Sequence, residues 1–169
     1  PDGSILPYDQ EGEICIRGDR VMKGYNKRED DTGATIHDGW LHTGDLGKID
    51  EGGYLFITGR LKDMVIRGGE NIAPGEIESV LEQHPSVQEV AIIGVPDLEW
   101  GEEVKAIIVL EPNATASPED FIDHCKSQLA SYKAPKYYAF VKELPRNYLG
   151  KVLKTDLRKN YGEAKNEIE

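Results

Sequence analysis

No stretch of this 169-residue chain is apolar for long enough to span a bilayer, which takes roughly twenty consecutive residues. Cysteine is scarce. Cys15 and Cys125 are the only two, their separation matches no metal-ligand spacing, and reduced thiols in a cytoplasmic protein are the expectation. Positive charge is in deficit, and a net charge of −11 argues against nucleic acid as a partner. The opening Pro1-Asp2-Gly3 has neither the basic nor the apolar region of a signal peptide, and there is no initiator Met. The chain is therefore expected to be a piece of something longer. Internal repeats, low-complexity segments and Gly/Ser linkers are also lacking. What remains is a composition of 38% hydrophobic and 30% charged residues, that of a soluble globular protein. The length suffices for one domain with a real core, or for a small domain plus part of another.

The charge is unevenly spread. Between Ser131 and Asn160 there are eight Lys or Arg against two acids, Glu143 and Asp156, giving +6 and leaving −17 for the remainder. A basic end on an acidic protein suits either a phosphate-rich ligand or a solvated charged face.

"GEICIRG" alternates apolar and polar residues and predicts a strand, whereas "DDTGATIHDGWLHTGD" reads as an irregular loop. "LGKIDEGGYLFITGR" predicts a hairpin around Glu51-Gly52-Gly53, and "DMVIRGGENIA" a second one bending at Gly68-Gly69. "APGEIESVLEQH" predicts a helix, with Pro74 in its first turn and Ile77, Val80 and Leu81 on one face. Strands are expected at "VQEVAIIGV", "EEVKAIIVLE" and "KYYAFVKEL". A helix is expected at "SPEDFIDHCKSQLASY", where Ser117 and Asp120 have capping-box spacing, and a closing helix at "LKTDLRKNYG". From about Asp63 this order gives an α+β fold, a small sheet flanked by helices, preceded by a β-rich segment. A boundary near "GRLKD" divides residues 1–60 from 61–169, and a junction this short is a candidate hinge.

Three local features carry chemistry. Asp45, in "TGDLG", offers two carboxylate oxygens that suit the paired hydroxyls of a ribose, although an isolated Thr-Gly-Asp is more commonly an Asx turn. Arg60 could donate to the same sugar or form a surface ion pair. Gly68 and Gly69 allow a close backbone approach or a tight turn, and fit neither a dinucleotide fingerprint nor a phosphate-binding loop. Lys151 follows Gly150 on a bend, where the plain reading is a solubilising charge.

The order of these motifs is more informative than any one of them. "DGWLHTGDLGKIDEGGYLFITGRLKDMVIRGGENIAPGEIE", then "GVPDLEWGE", then "SYKAPKYYAFVKELPRNYLGKV" closely resembles the C-terminal part of the acyl-CoA synthetases, in the acyl-adenylate-forming superfamily. The resemblance covers nearly the whole chain. It implies an AMP-forming acid–thiol ligase. A carboxylic acid and ATP give an acyl-adenylate and pyrophosphate, and CoA then gives acyl-CoA and AMP, as in fatty acid metabolism. It implies that residues 1–60 end a large N-terminal AMP-binding domain, and that residues 61–169 form a mobile C-terminal domain presenting a different face to each half-reaction. By this resemblance Asp45 binds the AMP ribose, assisted by Arg60. Lys62 is the hinge, and Lys151 is the catalytic lysine that bridges the substrate carboxylate and the α-phosphate of ATP. Gly68 and Gly69 line the pantetheine tunnel, Trp100 and Tyr132 lie near CoA, and Lys136 is close to its phosphates. Ala134 stands where some relatives carry Arg, so one phosphate contact is missing or supplied elsewhere.

The family's phosphate loop, aromatic-Thr-Glu motif and acyl pocket do not occur in this sequence, and Mg²⁺ is expected to be held mainly by that absent part. The chain alone is thus expected to be inactive. Two other readings stay open: transfer of the acyl group to a carrier-protein phosphopantetheine, and a non-catalytic relic of the fold. Pro145 to Lys151 also spells Pro, four residues, Gly, Lys. In bacterial relatives this form surrounds a lysine modified by acetyltransferases, which would abolish its charge.

Overall fold

A computed structural model describes residues 3–168. The chain forms two compact units that divide between Lys62 and Asp63, inside the "GRLKD" segment.

The first unit is a four-stranded antiparallel sheet. Strand β1 (Gly12–Ile16) and the two-residue β2 (Ile36–His37) flank β3 (Trp40–Ile49), and β4 (Leu55–Arg60) pairs with the far part of β3. Part of the segment expected to be an irregular loop is ordered. Helix α1 (Glu29–Thr35) starts with three acids, Glu29, Asp30 and Asp31, which favour a helix N-terminus. It runs into a hairpin whose two turn residues, Asp38 and Gly39, have φ of 49° and 80°. An Asp-Gly pair with both φ positive is the turn whose twist matches flanking strands. The Glu51-Gly52-Gly53 hairpin forms as expected between β3 and β4, closed by Gly53 N–H donating to the Asp50 carbonyl at 2.9 Å.

The second unit is a six-stranded mixed sheet with helices on both faces. Strands β5 (Val65–Arg67) and β6 (Glu70–Ile72) form the short hairpin, followed by helix α2 (Pro74–Leu81). Strands β7 (Val87–Asp97) and β8 (Gly101–Leu110) form the long antiparallel ribbon at its centre. Helix α3 (Pro118–Lys126) precedes β9 (Tyr137–Phe140), which lies parallel to β8. Helix α4 (Lys154–Tyr161) is followed by β10 (Glu167–Ile168), a strand not expected from the sequence, parallel to β9. The capping box of α3 is present, with the Asp120 carboxylate accepting from the Ser117 N–H at 2.8 Å.

Alternation along β7 explains the three layers. Val90 and Ile92 pack on one face of the sheet with Ile77, Leu81 and Phe121 from α2 and α3. Ala91, Ile93 and Val95 pack on the other face with Leu144 and Leu157. A strand buried on both faces reads as a continuous apolar run, as "VAIIGV" does. Strand β8 is equally enclosed, and it carries two charges inside. Glu103 is 2% and Lys105 0% exposed. Lys105 Nζ donates to Glu167 Oε1 at 2.7 Å and to the Glu163 carbonyl at 3.0 Å, so β10 is the strand that satisfies it.

Candidate functional site

In the first unit, Asp45 and Arg60 are register partners on β3 and β4, and Arg60 Nε lies 2.8 Å from Asp45 Oδ1. The backbone around Asp45 is fixed by three hydrogen bonds. The Asp45 N–H donates to Thr43 Oγ1 at 3.1 Å, Thr43 Oγ1 donates to the Ile14 carbonyl at 2.8 Å, and the Gly44 N–H donates to Glu13 Oε1 at 3.1 Å. Thr43, Gly44, Arg60, Leu61 and Lys62 line one open concavity. Lys62 itself sits in a single 3₁₀ turn, Leu61–Asp63, between β4 and β5. Because Arg60 takes one Asp45 oxygen, this pair suits neutral hydroxyls better than a second cation. Nothing in its geometry favours a Mg²⁺ ion.

The second unit brings four of the CoA-assigned residues together. Gly68 and Gly69 are the two turn residues of the β5–β6 hairpin, with φ of 57° and 89°. Gly68 is required by packing as well, since a Cβ there would meet Trp100 Cε3 at 2.6 Å, and its N–H donates to the Trp100 carbonyl at 2.8 Å. Arg67 stacks its guanidinium 4.9 Å from the centre of the Trp100 ring. Asp97 Oδ1 accepts from the Trp100 and Glu99 N–H groups, and Asp97 Oδ2 from Lys136 Nζ at 3.2 Å. These backbone bonds, then Lys136, hold the Asp97 carboxyl below the usual carboxylate range, and Asp97 in turn raises the Lys136 ammonium. Tyr132 stands apart in the turn Ser131–Lys133, 38% exposed, with Lys133 Nζ 6.0 Å from its ring centre.

Sequence reasoning missed the group that ties this face together. Buried Glu103 accepts from Arg67 Nε at 2.8 Å with Oε2, and its Oε1 lies 3.6 Å from Lys136 Nζ. That hydrogen bond is the main reason the Arg67 pKa is raised. The "GEEVKA" pattern gave no sign of it, because a charged residue in a strand ordinarily faces water.

Lys151 lies at the far end of a tight loop closed by an antiparallel bridge between Arg146 and Val152. The bend is braced at the N–H and carbonyl of Lys151 and at the carbonyl of Gly150. Asn147 Oδ1 accepts from the Lys151 N–H at 2.9 Å, and the Asn147 N–H donates to the Lys151 carbonyl at 2.9 Å. Arg146 Nη1 donates to the Gly150 carbonyl at 2.6 Å, and Arg146 Nη2 reaches Glu89 Oε2 on β7 at 2.8 Å. Gly150 has φ of 81°, which only glycine adopts without strain. The lysine side chain is exposed, while its backbone is anchored to the sheet through Arg146.

Residues 76–151, ending on Lys151, match the family described as the AMP-binding enzyme C-terminal domain. Over this stretch the chain is similar to the C-terminal domain of the AMP-binding enzymes. It is 46% identical over 160 residues to the long-chain-fatty-acid–CoA ligase FadD13 of Mycobacterium tuberculosis, covering 95% of this chain and 32% of that protein. It is 47% identical over 157 residues to the 2-succinylbenzoate–CoA ligase of Bacillus cytotoxicus, covering 93% of this chain and 32% of the relative. The crystal structure of ATP-bound MatB from Rhodopseudomonas palustris superposes with a TM-score of 0.89 at 45% identity, covering 94% of this chain and 32% of that one. The chain thus spans about a third of the length of these relatives. No helix among the described residues is long and apolar enough to cross a membrane.

Proposed function

We propose that this chain is part of an AMP-forming acyl-CoA synthetase in the cytoplasm, which activates a carboxylic acid with ATP and transfers the acyl group to CoA. The observation that carries the reading is the presentation of Lys151: an exposed ammonium on a backbone held at both its N–H and its carbonyl. Such a fixed cation suits charge that develops between a carboxylate and an α-phosphate. In this reading Asp45 accepts from the ribose hydroxyls of the nucleotide, and Arg60 orients the carboxylate. Gly68, Gly69, Trp100 and Lys136 form the face for CoA, joined by Tyr132. Arg67, held by Glu103 beside Lys136, is well placed to supply a contact that Ala134 cannot. Lys62 is the pivot between half-reactions, and an acetyltransferase acting at Lys151 would switch off the first of them. Mg²⁺ bound with ATP would neutralise phosphate charge, and none of the residues named here is assigned to it.

The test is the whole protein with ATP, CoA and a panel of carboxylic acids. Acyl-CoA, AMP and pyrophosphate in equal amounts are expected. Release of ADP and phosphate would contradict the reading, and acyl transfer to a phosphopantetheinyl carrier protein in preference to CoA would replace it with the carrier-loading alternative. The chain by itself is expected to support no acid-dependent pyrophosphate exchange. Clear turnover by the chain alone would show that no further domain is needed.

A further inference from the structure

The strand pair that positions Asp45 also gathers a thiol, an imidazole and a carboxylate. Glu13 and Cys15 lie two apart on β1, and His42 on β3 is the register partner of Cys15. One donor atom from each of the three falls within 4.8 Å of the others, and all three residues are half-buried. The sequence gave no hint of this, because Cys15 and His42 are 27 positions apart and only strand pairing joins them.

The distances suit a four-coordinate metal. A zinc ion bound at about 2.3 Å to sulfur and about 2.0 Å to nitrogen, at tetrahedral angles, separates those atoms by about 3.5 Å. Cys15 Sγ and His42 Nδ1 are 3.6 Å apart. The same arithmetic for nitrogen and a carboxylate oxygen gives about 3.3 Å. Glu13 Oε2 and His42 Nδ1 are 2.7 Å apart, a hydrogen bond that would open by a small side-chain rotation as the ion replaces the proton. Glu13 Oε1 would remain on the Gly44 N–H, the kind of outer contact that orients a ligating carboxylate. We propose that Glu13, Cys15 and His42 form a binding site for a borderline-soft divalent cation of the Zn²⁺ class, with water as its fourth ligand.

On binding, the Cys15 thiol loses its proton to solvent as the sulfur–metal bond forms. The His42 ring proton resides on Nε2 so that Nδ1 can ligate, and no electron is transferred. A thiolate and an imidazole select Zn²⁺ or Co²⁺ over Mg²⁺ and Ca²⁺, so the site is distinct from any magnesium that accompanies ATP. Because Glu13 also holds Gly44, the ion would clamp β1 against the Thr43–Asp45 segment.

The test is titration of the chain with Co²⁺ as a spectroscopic probe, followed by Zn²⁺. One Co²⁺ per chain is expected. It should show a near-ultraviolet thiolate-to-cobalt band and strong visible bands of a four-coordinate ion, which Zn²⁺ removes and excess Mg²⁺ does not. Cys15→Ser should abolish the near-ultraviolet band. His42→Gln should weaken binding by more than about tenfold, the loss typical of even an outer-shell partner. Cys125 is fully buried and its thiol is pushed up to about 11 by that burial, so Cys125→Ser should change nothing. Zn²⁺ should also raise the melting temperature of the native chain and leave that of Cys15→Ser unmoved. Absence of the thiolate band, its persistence in Cys15→Ser, or only the weak visible spectrum of a six-coordinate ion would overturn the proposal.

Discussion

Removing the Arg146 side chain should separate stability from catalysis. The guanidinium makes two contacts, 2.6 Å to the Gly150 carbonyl and 2.8 Å to Glu89 Oε2. The Arg146 and Glu89 side chains are 42% and 36% exposed, so water screens the ion pair, and such pairs contribute about 0.2–1 kcal/mol. Allowing for the second hydrogen bond, Arg146→Ala should cost about 1–2 kcal/mol. For a chain of this size that lowers the melting temperature by only about 2–8 °C. The kinetic effect should be larger. Freed from the brace, Gly150 and the lysine after it can shift by an ångström or more, and misplacement on that scale can cost about 10²-fold in rate. The assay is acid-dependent pyrophosphate exchange in the whole enzyme, alongside thioester formation from preformed acyl-adenylate. Arg146→Ala should lose roughly 10²-fold in the first and little in the second. Arg146→Lys should recover part of the loss by keeping one contact. A double-mutant cycle with Glu89→Gln should show coupling, because the two side chains act on one loop. Full adenylation by Arg146→Ala, or equal loss in both steps, would refute the argument that this brace positions Lys151.

Two further outcomes follow from the same geometry. Gly68→Ala places a methyl 2.6 Å from Trp100 Cε3 on a backbone with φ of 57°, and should cost about 2 kcal/mol and raise the KM for CoA, read by denaturant melts and steady-state kinetics. His84, beside Phe121 and His124, has its pKa lowered first by burial and then by His124. The folded protein therefore resists protonation that the unfolded chain accepts. This contribution is intact above the unfolded value of about 6.5 and is lost as pH falls from there through the lowered folded value. His84→Gln should flatten that part of the stability–pH curve in urea melts, and an unchanged slope would contradict the assignment.

The parts of the fold legible in the sequence are those where one rule acts locally. Pro74 opens α2, Ser117 and Asp120 cap α3, and the paired glycines turn the β5–β6 hairpin, each from information within a few residues. What escaped reading depends on distant partners. Strand β10 forms because β9 offers an open edge and Lys105 needs the Glu167 carboxylate, 62 positions away. Helix α1 was hidden by Thr32, Gly33 and Thr35, poor helix formers whose cost is offset by local contacts such as the Tyr25 N–H donating to Thr32 Oγ1. The site divides the same way. Lys151 could be picked out only through the resemblance carried by the ordered motifs, since a lysine after a glycine reads by itself as a solubilising charge, and the exposed bend that the sequence suggests is a braced one. Arg146, Asn147 and Glu89 supply the brace, and nothing in their spacing marks Glu89 as the anchor.

The central claim is that Lys151 serves the formation of the acyl-adenylate. The most direct measurement gives Lys151→Ala enzyme two starting points, acid plus ATP in one and preformed acyl-adenylate plus CoA in the other. Loss of one preorganised cation should slow the first reaction by about 10²–10³-fold or more and leave the second near the native rate. Equal loss from both starting points, or an undiminished first reaction, would contradict the account.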